Sequence, residues 1–104
     1  MGLIEDIYMI ASKLPKFEQY ALASQMIRAA VSIASNIAEG WGRNTKPEFI
    51  RFLNISFGST CELETQLFIS QKQYPKVNHE AAFIKIVEVK KMLISLIQSK
   101  KATI

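Results

Sequence analysis

Few residues in this chain are of types that do acid–base, nucleophilic or metal chemistry. Cys61 is the only cysteine and His79 the only histidine. A carboxylate-bridged di-iron site in a helical bundle needs a Glu-x-x-His pair from each of two helices, and no glutamate precedes His79 at that spacing. Glu62 and Glu64 are two residues apart, so on a helix they point to different faces. A single cysteine also excludes an intramolecular disulfide and four-cysteine or Cys2His2 zinc sites. Cys61 beside Glu62 lacks both a second histidine and an oxyanion-type glycine turn, which leaves it as a small residue flanking a core. Gly40-Trp41-Gly42 is too short for a phosphate-cradling loop and reads as a turn. The expectation is a protein that is not an enzyme and takes no metal or cofactor.

What remains is charge. The 104 residues carry 13 Lys+Arg against 9 Asp+Glu, a net of +4. The excess sits late, because residues 1–40 hold more acids than bases. Lys90, Lys91, Lys100 and Lys101 concentrate positive charge in the last part of the chain, and Arg43 and Arg51 form an earlier basic group. With helix four antiparallel to helix three, the C-terminal lysines should end near the start of helix three and Arg51, giving one basic end. Lysine and arginine that neutralise phosphates release counterions, so such groups are candidate contacts for RNA or DNA. They also keep small domains soluble. Asn36 and Glu39 complete a polar set with the two arginines. Folding a helix back on itself near residue 43 places Asn36 opposite Phe49 to Phe52 and brings Glu39 toward Arg43 or Arg51. That arrangement reads first as a structural polar cluster that pins a turn.

The elements that position these groups follow from periodicity and punctuation. Leu3, Ile7, Ile10, Ala11 and Leu14 recur at helical spacing, and Pro15 ends that helix. A second helix is expected from about Glu18 to Ala38, capped by Gly40, since glycine accepts the left-handed conformation that ends many helices. Thr45-Lys46-Pro47-Glu48 fits a capping box with proline in the first turn. The helix it starts carries a seam of Phe49, Leu53, Ser56, Thr60, Leu63, Leu67, Ser70 and Tyr74 at alternating spacings of four and three. Asn78 is the expected N-cap of a fourth helix that reaches about Ser99 and leaves Lys100 to Ile104 as a frayed tail. No segment alternates with a period of two, and the turns are short. The fold class is therefore all-α, an antiparallel up-and-down four-helix bundle spanning 1–104 as one domain.

Helix four carries more apolar residues than one buried face uses, with Ile84, Val87, Val89, Met92, Ile94 and Leu96 added to Ile86, Leu93 and Ile97. Surplus apolar surface on a small domain is best hidden against another copy, so a homo-oligomer is expected. Lys85, Glu88, Lys90 and Lys91 interrupt this segment and exclude a membrane span. The N-terminus lacks a basic stretch followed by an uninterrupted apolar run, so no secretory signal is read and a cytoplasmic setting is expected.

The stretch Ser32-Ile33-Ala34-Ser35-Asn36-Ile37-Ala38-Glu39-Gly40-Trp41-Gly42-Arg43, with Glu48-Phe49-Ile50-Arg51-Phe52-Leu53 and Gly58-Ser59-Thr60-Cys61-Glu62-Leu63-Glu64, resembles the bacterial four helix bundle protein family, also called the 23S rRNA intervening sequence protein family. Many members carry proline where this chain has Ala34, a departure that should only straighten helix two. The resemblance implies a helical bundle assembling into a ring, commonly a homopentamer. The family is similar in turn to the accessory protein of diversity-generating retroelements, a basic ring that binds nucleic acid and a reverse transcriptase. The resemblance implies an oligomer that binds RNA or DNA through basic positions repeated by symmetry, and the charge placement makes Arg43, Arg51, Lys90, Lys91, Lys100 and Lys101 the expected contacts of a non-enzymatic protein. The alternative is an oligomeric scaffold for a protein partner without nucleic acid.

Overall fold

Apolar spacing at the N-terminus produces α1, Gly2–Ser12, which buries Leu3, Ile7, Ile10 and Ala11. The computed structural model describes residues 2–102. Leu14 is buried beyond the end of α1, just before Pro15. A short 3-10 turn, Lys16–Glu18, then leads into α2, Leu22–Trp41. The second helix thus starts later than Glu18, because the chain spends residues 16–21 in tight turns whose N–H groups return to Pro15, Lys16 and Glu18 carbonyls. α2 runs unbroken through Ala34, in line with the missing proline.

α2 also continues through Gly40, which is helical and buried. No glycine among the described residues has positive φ, and the C-cap is Gly42 at φ −83°. Gly40 is therefore a contact position, where an added Cβ would lie 2.9 Å from Phe49 Cδ1 and 3.2 Å from Phe52 Cβ. This close approach shifts the α2–α3 register by about one helical turn from the expected one. Gly40, four residues beyond Asn36, is what faces Phe49 and Phe52. Ser32 Oγ meets Ser59 Oγ at 2.8 Å, and Ser56 Oγ donates to the Ile33 carbonyl at 2.9 Å.

The third helix, α3, spans Lys46–Gln73 and follows the seam read from the sequence as far as Ser70, with Tyr74 as its non-helical C-cap. Phe49, Leu53, Ser56, Thr60, Leu63, Leu67 and Ser70 are all buried. Thr45 accepts at 3.4 Å from the Glu48 N–H, while the Glu48 carboxylate engages Arg51. The fourth helix, α4, spans Glu80–Ala102, so Lys100 and Lys101 belong to its last turn and not to a frayed tail. Thr103 and Ile104 lie outside the described residues. Asn78 Oδ1 accepts from the Glu80 N–H at 2.9 Å, and the next residue, His79, gives its carbonyl to the first helical hydrogen bond from Phe83.

Each helix packs on its neighbours in the chain, and α1 closes the ring on α4. Because α1 has 11 residues and α3 has 28, α1 covers only one half of the bundle. Two apolar clusters record this. One combines Leu3, Ile7 and Ile10 with Met26, Ile33, Leu63, Leu67 and Ile86. The other contains Phe49, Leu53, Leu93 and Ile97, from α3 and α4 only, with Ile37 of α2 packed against it.

Candidate nucleic-acid interface

The α2–α3 turn and the end of α4 meet at the half of the bundle that α1 does not reach. Arg43 Nη2 donates to Glu39 Oε1 at 2.7 Å, one helical turn earlier. Arg51 Nε donates to Glu48 Oε2 at 3.0 Å. Both guanidinium carbons also sit over the ring of Phe52, at 4.8 and 4.6 Å from its centroid. Phe52 is buried, so the ring and the two carboxylates hold both arginines in place. Each arginine has a local acidic partner, and the four side chains together carry no net charge.

Positive charge unbalanced by such partners comes from lysines. Lys100 Nζ lies 5.3 Å from the Phe49 ring centroid and 5.8 Å from that of Trp41, which places the end of α4 against the start of α3. Lys101 follows it, exposed. Lys46, the first residue of α3, lines the same surface depression of about 270 Å³ as Trp41, Arg43, Asn44, Phe49 and Lys100. Lys46, Lys100 and Lys101 have no carboxylate partner among the described residues.

Lys90 and Lys91 stand elsewhere. They precede Lys100 by about ten residues, roughly 15 Å along the helix. Lys90 Nζ donates to Glu64 Oε1 of α3 at 3.0 Å, and that hydrogen bond holds its pKa above the ordinary lysine value. Its charge is committed to joining α3 and α4. Lys91 is exposed on the outward stripe of α4. The structure thus brings Arg43, Arg51, Lys100 and Lys101 to one end and leaves Lys90 and Lys91 on the flank.

Asn36 is half-buried and donates to the Ser32 carbonyl at 2.8 Å and to Ser32 Oγ at 3.0 Å. With Ser32–Ser59 this forms a polar chain across α2 and α3. Trp41, Lys46 and Phe49 were absent from the sequence-predicted contact set. The antiparallel order of the helices already brings the C-terminal lysines of α4 to the start of α3, where Lys46 lies, whereas the sequence gives no signal that Trp41 and Phe49 face Lys100 there.

Ser70 Oγ and His79 Nε2 lie 2.7 Å apart, the separation of a hydroxyl nucleophile and its base. Both are buried, Ser70 at 0% and His79 at 2% exposure, so the pair is enclosed by protein and ties α3 to the start of α4. Among the described residues no group of three His, Cys, Asp or Glu side chains is placed to hold a metal ion, and no helix is long and apolar enough to cross a membrane.

A search of curated proteins returns no match. The family model of the 23S rRNA-intervening sequence protein matches residues 1–95, which cover α1 to α3 and most of α4. With four antiparallel helices and a match along most of its length, the chain belongs to the 23S rRNA-intervening sequence protein family.

Proposed function

We propose that this chain is a non-enzymatic homo-oligomer, a pentameric ring by family resemblance, that binds RNA or DNA through the basic end of each subunit. The observation that carries the reading is the convergence of Lys46, Lys100 and Lys101 with Arg43 and Arg51 where α2, α3 and α4 meet. Five copies of a +4 chain carry +20, and repetition by symmetry multiplies a field that is modest in one subunit. The exposed apolar stripe of α4 supports self-association. The test is fluorescence anisotropy with structured RNA, single strands and duplex DNA over a range of salt concentrations. Affinity should fall steeply and linearly on a log–log salt plot, because phosphate neutralisation releases counterions. Binding of none of these at low salt would remove the reading and leave the protein-scaffold alternative. Substituting Lys46, Lys100 and Lys101 by glutamine should flatten the slope, whereas Lys90→Gln should leave it nearly unchanged.

A further inference from the structure

The basic end also carries an aromatic surface that phosphate binding alone does not need. Trp41 is 63% exposed, and its ring centroid lies 4.8 Å from that of Phe49, tilted by 42°. Phe49 is buried and belongs to the core cluster, so it fixes one side of the tryptophan, and Lys100 Nζ stands 5.8 Å from the indole centroid. The depression beside the pair is lined by Arg43, Lys46 and Lys100 and has no carboxylate among its lining residues. Asn44 adds an exposed amide with no hydrogen-bond partner in the described structure.

An indole face held by the core, with cations around it, matches the chemistry of an unpaired nucleobase with phosphates on either side. In a duplex the base faces are stacked on each other and only edges and backbone are accessible. In a single strand or loop a base can leave its neighbours and stack on an aromatic ring. We propose that Trp41 is a stacking platform for an unpaired base, with Lys46 and Lys100 on the adjoining phosphates and Asn44 at the base edge. The subunit would then prefer single-stranded segments over duplex. This inference rests on the nucleic-acid reading above and adds the form of nucleic acid and the contact that selects it.

Trp41 is the only tryptophan, so its emission reports this contact directly. The experiment titrates the full chain with oligoadenylate as RNA and as DNA, a duplex, and an abasic strand of equal length. Stacking predicts strong quenching by the base-bearing strands and little by the abasic strand or the duplex. Trp41→Leu should weaken binding to the base-bearing strands by about tenfold while leaving the abasic strand unchanged. Trp41→Phe should retain part of that affinity, with helical circular dichroism and oligomer size preserved. RNA and DNA arms that differ would identify which sugar the site accepts. Equal quenching by the abasic strand, or a Trp41→Leu loss shared by every ligand, would overturn the platform while leaving phosphate binding intact. An emission already blue-shifted without ligand and unresponsive to every strand would overturn it too, because the indole would be covered by another copy. No salt-dependent binding of any strand would overturn the parent reading and this one together.

Discussion

At Gly40 the backbone of α2 comes so close to α3 that a methyl group has nowhere to go. Two effects oppose each other on replacing it by alanine. Removing a glycine from a helix interior favours folding by up to about 1 kcal/mol. Overpacking costs about 1–3 kcal/mol when the neighbours cannot yield. Here the contacted atoms are Phe49 Cδ1 at 2.9 Å and Phe52 Cβ at 3.2 Å, a ring locked in the core and an atom next to backbone. Packing wins, so Gly40→Ala should destabilise the protein in urea unfolding and loosen the Trp41–Phe49 contact. Gly58 has nothing within 4 Å of its added Cβ, so Gly58→Ala should stabilise by about 0.5–1 kcal/mol in the same measurement. Both glycines lie inside helices, although the sequence reads Gly40 as a cap. Their opposite signs come from tertiary distance alone.

Between α3 and α4 the short connection is held by side chains at both ends. Tyr74 Oη donates to Glu18 Oε2 at 2.6 Å, fixing the end of α3 to the turn before α2, and His79 bonds Ser70. Burial pushes the His79 pKa below its ordinary 6.5, against a smaller opposing pull from the Val77 carbonyl. The native state therefore binds this proton less readily than the unfolded chain. Stability is complete above about pH 7 and falls as pH drops through the unfolded-state value toward the lower native one. Thermal unfolding between about pH 7 and 5 should show this decline, and His79→Gln should flatten it. A slope identical in the variant would place the titration elsewhere.

The elements were legible in the sequence where local chemistry decides them. The α3 seam and its Thr45 cap follow from spacing, and the start of α4 follows from Asn78. What stayed hidden needed helix register. Glu64 and Lys90 are 26 residues apart in the chain, and only the packing of α4 on α3 makes them partners. Lys100 is an intermediate case, since antiparallel helices bring the α4 lysines to the start of α3 and only the packing sets Lys100 against the Phe49 ring. Gly40 as a cap and Gly40 as a contact point look identical in a linear reading, since both place a glycine near a helix end.

Exposed apolar side chains occur on several elements, with Tyr20 and Phe17 before α2 the most exposed, and one set of them forms a stripe. Ile84, Val87 and Ile94 are 53%, 47% and 43% exposed and lie on a stripe of α4 outside the one that buries Ile86 and Leu93. Phe68 of α3, tilted against Phe83 at 4.9 Å, is also exposed at 56% beside this region. Contiguous apolar surface of this kind marks an association face in soluble proteins. It lies along the flank of α3 and α4, away from the turn that carries Trp41 and Lys46, so the proposed assembly, if formed through it, would leave the basic ends open to solvent. Lys91 stands within the stripe, where a partner must accommodate its charge. Val87→Lys adds a second charge at the centre of that face without entering the core, because Val87 is about half exposed in the single chain. Light scattering should then report a smaller assembly at the same concentration, with helical content unchanged. Nucleic-acid affinity should fall with it, because each dissociated subunit retains its own lysines but loses the field of its neighbours. An unchanged mass would place the subunit contact on another face, and an unchanged affinity in a dissociated variant would show that one basic end suffices.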